Sequence, residues 1–309
     1  MDVIGVSSVV WKKCVQAKPD EKALILSDPS GERLAIAKAL KSSCPCRCDV
    51  AIVEPTGMHG REPSEDVAED IMGYDIVVAP LQYSITHTKA VADFTAKGGR
   101  VITMPGITEE IFTRAVPVDY DELTNTNTRL RLLLSKAGVA RVTTKSGTDI
   151  RMKLAKGRKI CNNNGILRPG KVTNLPDGEV SLAPEEGTAN GIIVFDLSAL
   201  GKVLKKPFKA VVRDGMLVEC GNRELWEALS SVKNGTNFAE LGIGTNPVAR
   251  ITGNILEDEK VLGTAHIAFG TNVDMGGRVQ TSVHIDSVFS KPTIALDGKV
   301  IIKDGKFLF

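Results

Sequence analysis

Residues that could do chemistry together are concentrated in the second half of the chain. Of the four histidines, His59, His87, His266 and His284, the last two stand in strand-like stretches. In "TSVHIDSV" (281–288), His284 and Asp286 lie two residues apart, which on a strand places both side chains on one face. A local repeat supplies partners. "ELGIGTN" (240–246) and "HIAFGTN" (266–272) each begin with a polar residue and end in Gly-Thr-Asn. On one face they carry Leu241 and Ile243, or Ile267 and Phe269. On the other, Glu240 or His266 is followed only by small residues, which leave space for something bound. Glu240, His266, His284 and Asp286 are therefore candidate ligands for Zn²⁺, Mn²⁺, Co²⁺ or Fe²⁺, since carboxylates and imidazoles converging from strands suit such ions. A buried His–Asp hydrogen bond beside a core histidine is the other reading of these residues.

The elements that position them follow from the pattern of the chain. The first 138 residues alternate apolar strands ("KALILSD", "CDVAIVEP", "YDIVVAP", "RVITMPG") with helical stretches, among them 64–73, opened by a Ser cap, and 86–99. That alternation predicts a parallel sheet covered by helices. No G-x-G-x-x-G follows the first strand, so a dinucleotide site is not expected. A connecting helix is predicted over 121–138. Beyond it a hairpin around "KSGT" and the D-G turns at Asp214-Gly215, Asp297-Gly298 and Asp304-Gly305 predict antiparallel hairpins. The fold class is α/β: an N-terminal parallel-sheet (Rossmann-like) domain, 1–138, then a β-rich α+β metal-binding domain, 139–309.

Composition narrows the partners. A formal net charge of +2 over 309 residues makes no electrostatic case for nucleic acid or a membrane surface. No apolar run approaches a membrane span, and an acid near the start without a basic leader argues against a secretory signal, so a cytoplasmic location is expected. The cluster Cys44, Cys46, Cys48 lacks the C-x₂-C pairs of zinc sites and reads as incidental reduced thiols. His59 and His87 follow strands of the first domain, where they either face a ligand or serve a loop and a helix cap.

"NLPDGEVSLAP" (174–184), "AELGIGTNP" (239–247), "EDEKVLGTAHIAFG" (257–270) and "VHID" (283–286), in that order, resemble the thermophilic metallo-aminopeptidase family of the aminopeptidase T and aminopeptidase S type. "SITHTKA" and "GGRVITMPGIT" resemble the same superfamily. The resemblance implies a homodimer whose subunits bind divalent metal ions, one or two of Zn, Co or Mn. It adds Glu179 to Glu240, His266, His284 and Asp286 as ligands. The family's tyrosine ligand falls on Val273, and only 17 residues separate His266 from His284. The implied activity is that of a leucyl aminopeptidase-like hydrolase, in which a metal-activated water releases N-terminal residues from peptides. Its general base is sought among Glu185, Glu186, Glu257 and Glu259, with Glu259 preferred for its place just before the His266 strand. Asn246, Asn272 and Arg278 are either substrate contacts or turn residues. The same superfamily likeness extends to a ring-cleaving dihydroxypyridine dioxygenase using one Fe(II), for which His266 or Glu240 with His284 and Asp286 would form the triad. A non-catalytic metal or small-molecule binding protein is the third reading.

Overall fold

The computed structural model describes residues 1–309, which form two compact units. The first comprises Met1–Tyr120 and Asn163–Asp177, the second Asp121–Asn162 and Gly178–Phe309. This differs from one division near residue 139, for two physical reasons. The short strand Val172–Asn174 adds to the edge of the first unit's sheet beside Arg100–Thr103. The helix Tyr120–Lys136 puts Leu130 and Leu134 into the apolar core of the second unit.

The first unit is built on a five-stranded parallel sheet in the order Arg47–Ile52, Lys22–Ser27, Ile76–Ala79, Arg100–Thr103, Val172–Asn174. Its inner strands are buried along almost their whole length, as their continuous apolar runs require. The helix Lys89–Ala96 is capped by Thr88, whose hydroxyl accepts from the Val91 amide. His87 beside it is exposed and is not the cap. Ser64 stands at the cap position of Glu65–Asp70 but makes no side-chain capping bond. All six cysteines are free.

The second unit holds an eight-stranded and a seven-stranded sheet. One buried cluster joins them, with Val142, Ile150, Ile193 and Ile294 from the first and Leu241, Ile243, Ile267 and Phe269 from the second. Burial of each such side chain contributes about 1.5–3 kcal/mol. Asp214, Asp297 and Asp304 and their glycines all have positive φ, the backbone of the tight hairpin turns that Asp-Gly favours.

The seven-stranded sheet runs Lys202–Val203, Ser198–Ala199, His284–Ser290, Thr264–Gly270, Phe238–Gly244, Glu179–Leu182, Ile160–Asn163. Its four strands from His284–Ser290 to Glu179–Leu182 carry all five residues put forward as metal ligands.

Candidate metal centre

The antiparallel ladder places the donors side by side. Ala268 is opposite Glu240 on one flank and Asp286 on the other, while Gly270 is opposite His284 and Gly242 opposite His266. Opposed residues share a face of the sheet. The repeat Glu240-Gly242 and His266-Ala268 thus meets the His284-Asp286 pair on the face away from the apolar core. The glycine has a steric reason. A Cβ on Gly242 would lie 1.9 Å from His266 Nε2, so the imidazole itself fills the space that small residues were expected to leave.

The polar atoms form one continuous patch. His284 Nε2 is 3.0 Å from Glu240 Oε2 and 3.7 Å from Asp286 Oδ2. His266 Nε2 is 3.6 Å from Glu240 Oε1 and 3.5 Å from Glu179 Oε2. Glu240 therefore stands between the two imidazoles. His284 Nδ1 lies 2.8 Å from the Thr271 carbonyl, a contact in which only the protonated nitrogen can serve as donor. That bond fixes the ring and directs Nε2 at the carboxylates, as an outer-shell carbonyl does for metal-binding histidines.

Lys260 was not singled out by the sequence. Its side chain is 1% exposed, with Nζ 2.9 Å from Glu179 Oε1 and in contact with Glu259. It hid in the run "EDEK", which reads as a solvated loop. The available signal was its position next to the preferred base, Glu259. Asn127 was missed as well. On the helix Tyr120–Lys136, it donates to the Glu179 carbonyl at 3.1 Å and accepts from Thr245 Oγ1 at 2.6 Å, tying down the strand that bears Glu179.

Burial and charge compete throughout the patch. Burial raises the Glu240 carboxyl, but hydrogen bonds and charge from His266 and His284 hold it well below the usual carboxylate range. Burial lowers His266, and Glu240, Glu179 and Asp286 lift it to about 9. Burial lowers His284, and Asp286 and Glu240 carry it well above the usual imidazole value. Burial pushes Glu259 up to about 8; Lys260 opposes the rise, and Glu179 and Asp286 add to it.

The donor set fits a divalent cation. One ligand atom from each of Glu240, His284 and Asp286 lies within 4.8 Å of the others, and the same holds for Glu179, Glu259 and His266. His266 Nδ1 and Asp286 Oδ1 are buried without a hydrogen bond. Imidazole and carboxylate together suit a first-row transition metal.

The remaining candidates serve the framework. Glu186 accepts from the Arg278 amide at 2.9 Å and from Asn272 Nδ2 at 3.0 Å, and pairs with Arg158 at 2.7 Å. Glu257 accepts from the Arg250 amide at 2.8 Å, and Glu185 is exposed. Asn246 Oδ1 accepts from the amides of Val248 and Ala249, a turn role, and Arg278 is exposed. Val273 is 40% exposed on the turn Val273–Met275. His59 accepts from the Ser84 amide and packs edge-on against Tyr83.

Comparison with known proteins corrects the activity expected from the motifs. The relatives point to a dioxygenase, an oxidoreductase, and not to an aminopeptidase or any hydrolase. A curated 2,5-dihydroxypyridine 5,6-dioxygenase from Pseudomonas putida KT2440 is 24% identical over 220 residues, 63% of this chain and 61% of that protein. The match thus spans about three-fifths of the relative's length. The solved structure of 2,5-dihydroxypyridine dioxygenase from the same organism superposes with a TM-score of 0.82 at 17% identity, covering 99% of this chain and 96% of that one. Wild-type AmpT from Thermus thermophilus superposes with a TM-score of 0.71 at 13% identity, covering 99% of each chain. Both share this fold, so the fold by itself does not separate the two activities. The model of the family "NicX: 2,5-dihydroxypyridine 5,6-dioxygenase" matches residues 13–309, and the chain belongs to that family.

Proposed function

We propose that this protein is a single-iron dioxygenase that cleaves the ring of a dihydroxypyridine-type substrate. His266, His284 and Asp286 would hold Fe(II), with Glu240 beside them. Two imidazoles and one carboxylate make the donor set of non-haem iron oxygenases, which leaves positions open for other ligands. The bound iron would supply the redox chemistry that lets dioxygen react with an aromatic ring.

The observation that carries the one-metal reading is Lys260. Its ammonium lies against Glu179 and Glu259, the two carboxylates grouped with His266. A cationic side chain of the chain's own already sits against these acids, and a second metal ion would have to displace a fully buried lysine. A two-metal hydrolase would need those acids for its second ion.

The chain's residues then divide the work. The Thr271 carbonyl holds the His284 ring so that Nε2 faces the carboxylates. Lys260 pairs with Glu179 and contacts Glu259. Glu259, lifted toward neutrality by burial, is the group proposed to hold and return a proton during ring opening.

The test is iron content and oxygen uptake of protein loaded anaerobically with Fe(II), with 2,5-dihydroxypyridine as substrate. About one iron per chain and uptake that depends on the dihydroxypyridine are expected. Two metal ions per chain, or no uptake by fully loaded protein, would overturn the proposal.

A further inference from the structure

The parallel sheet of the first unit contains a point where the chain reverses its direction of travel. From Lys22–Ser27 it moves to Arg47–Ile52 on one side, then crosses to Ile76–Ala79 on the other. Loops leaving the carboxyl ends of strands at such a reversal diverge and open a crevice, which is where ligands bind in open α/β sheets. Here the crevice is a cavity of about 390 Å³. Each of the three strands contributes to it: Asp28 follows the first, Ile52–Thr56 ends the second, and Leu81 and Tyr83 follow the third. None of the acid–imidazole residues of the second unit lines it.

The cavity contains one polar group that is half used. Asp28 is 3% exposed. Its Oδ2 accepts from the Gln82 amide at 2.8 Å and from the Arg33 guanidinium, which together fix the carboxylate's orientation. Its Oδ1 is buried and accepts no hydrogen bond. A buried carboxylate oxygen left without a donor is costly, so each such atom calls for an explanation. The walls are apolar, and Ile52 is 51% exposed although large and hydrophobic. Apolar walls with few convergent polar groups are the composition of a small-molecule site, and the volume falls in the usual range for one.

Charge selects the class of ligand. Arg33 offsets Asp28, the lining carries no lysine or arginine, and Glu54 and Asp66 leave it net acidic. That net acidic lining disfavours an anion.

We infer that this cavity binds a small organic cation, an amine whose N–H donates to Asp28 Oδ1 and whose apolar body packs against Ile52, Val53 and Tyr83.

The experiment titrates the full chain with tryptamine, using indole-3-propionate as an anionic control of similar shape. Binding is followed by calorimetry and by methyl NMR. Saturable tryptamine binding is expected, at least ten-fold tighter than that of the control, with shifts at Ile52, Val53, Val67 and Ile85. Asp28→Asn should weaken it at least five-fold. Because Asp28 also anchors Gln82 and Arg33, Ile52→Trp serves as the second variant. It fills the cavity from its exposed rim and should abolish binding without lowering the Tm. Equal affinity for the two indoles, no shift at those methyls, or undiminished binding in Ile52→Trp would overturn the inference.

Discussion

The two acid–imidazole groups of the second unit are joined through Glu240 yet differ in character. The Glu240, His284 and Asp286 group opens to solvent at His284, whose side chain is 30% exposed and whose ring is oriented by a loop carbonyl. Glu179, Glu259 and His266 gather instead around a buried lysine, Lys260. The first arrangement leaves donors to share with an ion and a substrate. The second is largely neutralised from within, as buried charges must be to persist. Similar residue types would therefore serve as ligands in one place, joined there by His266 through its contact with Glu240, and as a charge-balanced support in the other.

The largest expected effect tests that division directly. His284→Ala should lower oxygen uptake by at least about 100-fold, together with iron content, because ligand loss exceeds the 10–100-fold effect of outer-shell changes. Metal analysis of the purified variant checks it. Retained iron with full activity would remove the outer group from the metal centre.

Lys260→Met probes the inner group. Removing one partner of a buried charge cluster costs about 3–5 kcal/mol. Urea denaturation should show that loss, and millimolar Mn²⁺ should restore part of it by taking the ammonium's place between Glu179 and Glu259. A variant as stable as the parent would show that Lys260 does not neutralise these acids.

Gly242→Ala acts where the groups meet. A methyl would lie 1.9 Å from His266 Nε2, so the ring must move. We expect destabilisation of about 1–3 kcal/mol, the usual cost of overpacking, and weaker iron binding, read by thermal melting and by competition with a chelator.

The smallest effect concerns the framework around the loop after His266. Burial raises Glu186, but Arg158, the Arg278 amide and Asn272 hold it down at about 2. A depressed carboxylate contributes stability above its unfolded value, near 4.3, and that contribution is lost as the pH falls through the folded value. Glu186→Gln should therefore cost about 1–2 kcal/mol at pH 6 and progressively less between pH 4 and pH 2. Denaturation series of parent and variant at matched pH measure the difference. A gap that does not narrow on acidification would remove the pairing from the loop's support.

Much of this was legible in the residues. Alternating apolar runs and helical stretches marked the parallel sheet, and three Asp-Gly pairs marked hairpins, because both patterns are local. The polar face of Glu240 and His266 was visible because the same alternation recurs 26 residues apart and the ladder aligns the copies. The return of Val172–Asn174 to the first sheet was not visible, since three residues carry no periodicity. Lys260 was hidden because burial of a charge depends on partners distant in sequence. The choice between hydrolase and dioxygenase came from the family match, because the spacing of acids and imidazoles does not encode it.

The ladder that aligns the donors also acts as a ruler. Neighbouring strands are held about 4.8 Å apart by backbone hydrogen bonds, and Glu240, Ala268 and Asp286 occupy one row across three of them. The interval between those two carboxylates is thus set chiefly by main-chain geometry, with loops contributing mainly the aim of His284. Changes confined to the turns would alter what can reach the candidate metal centre while leaving that spacing in place. In engineering terms the sheet is a fixed chassis and the loop after His266 is an exchangeable part.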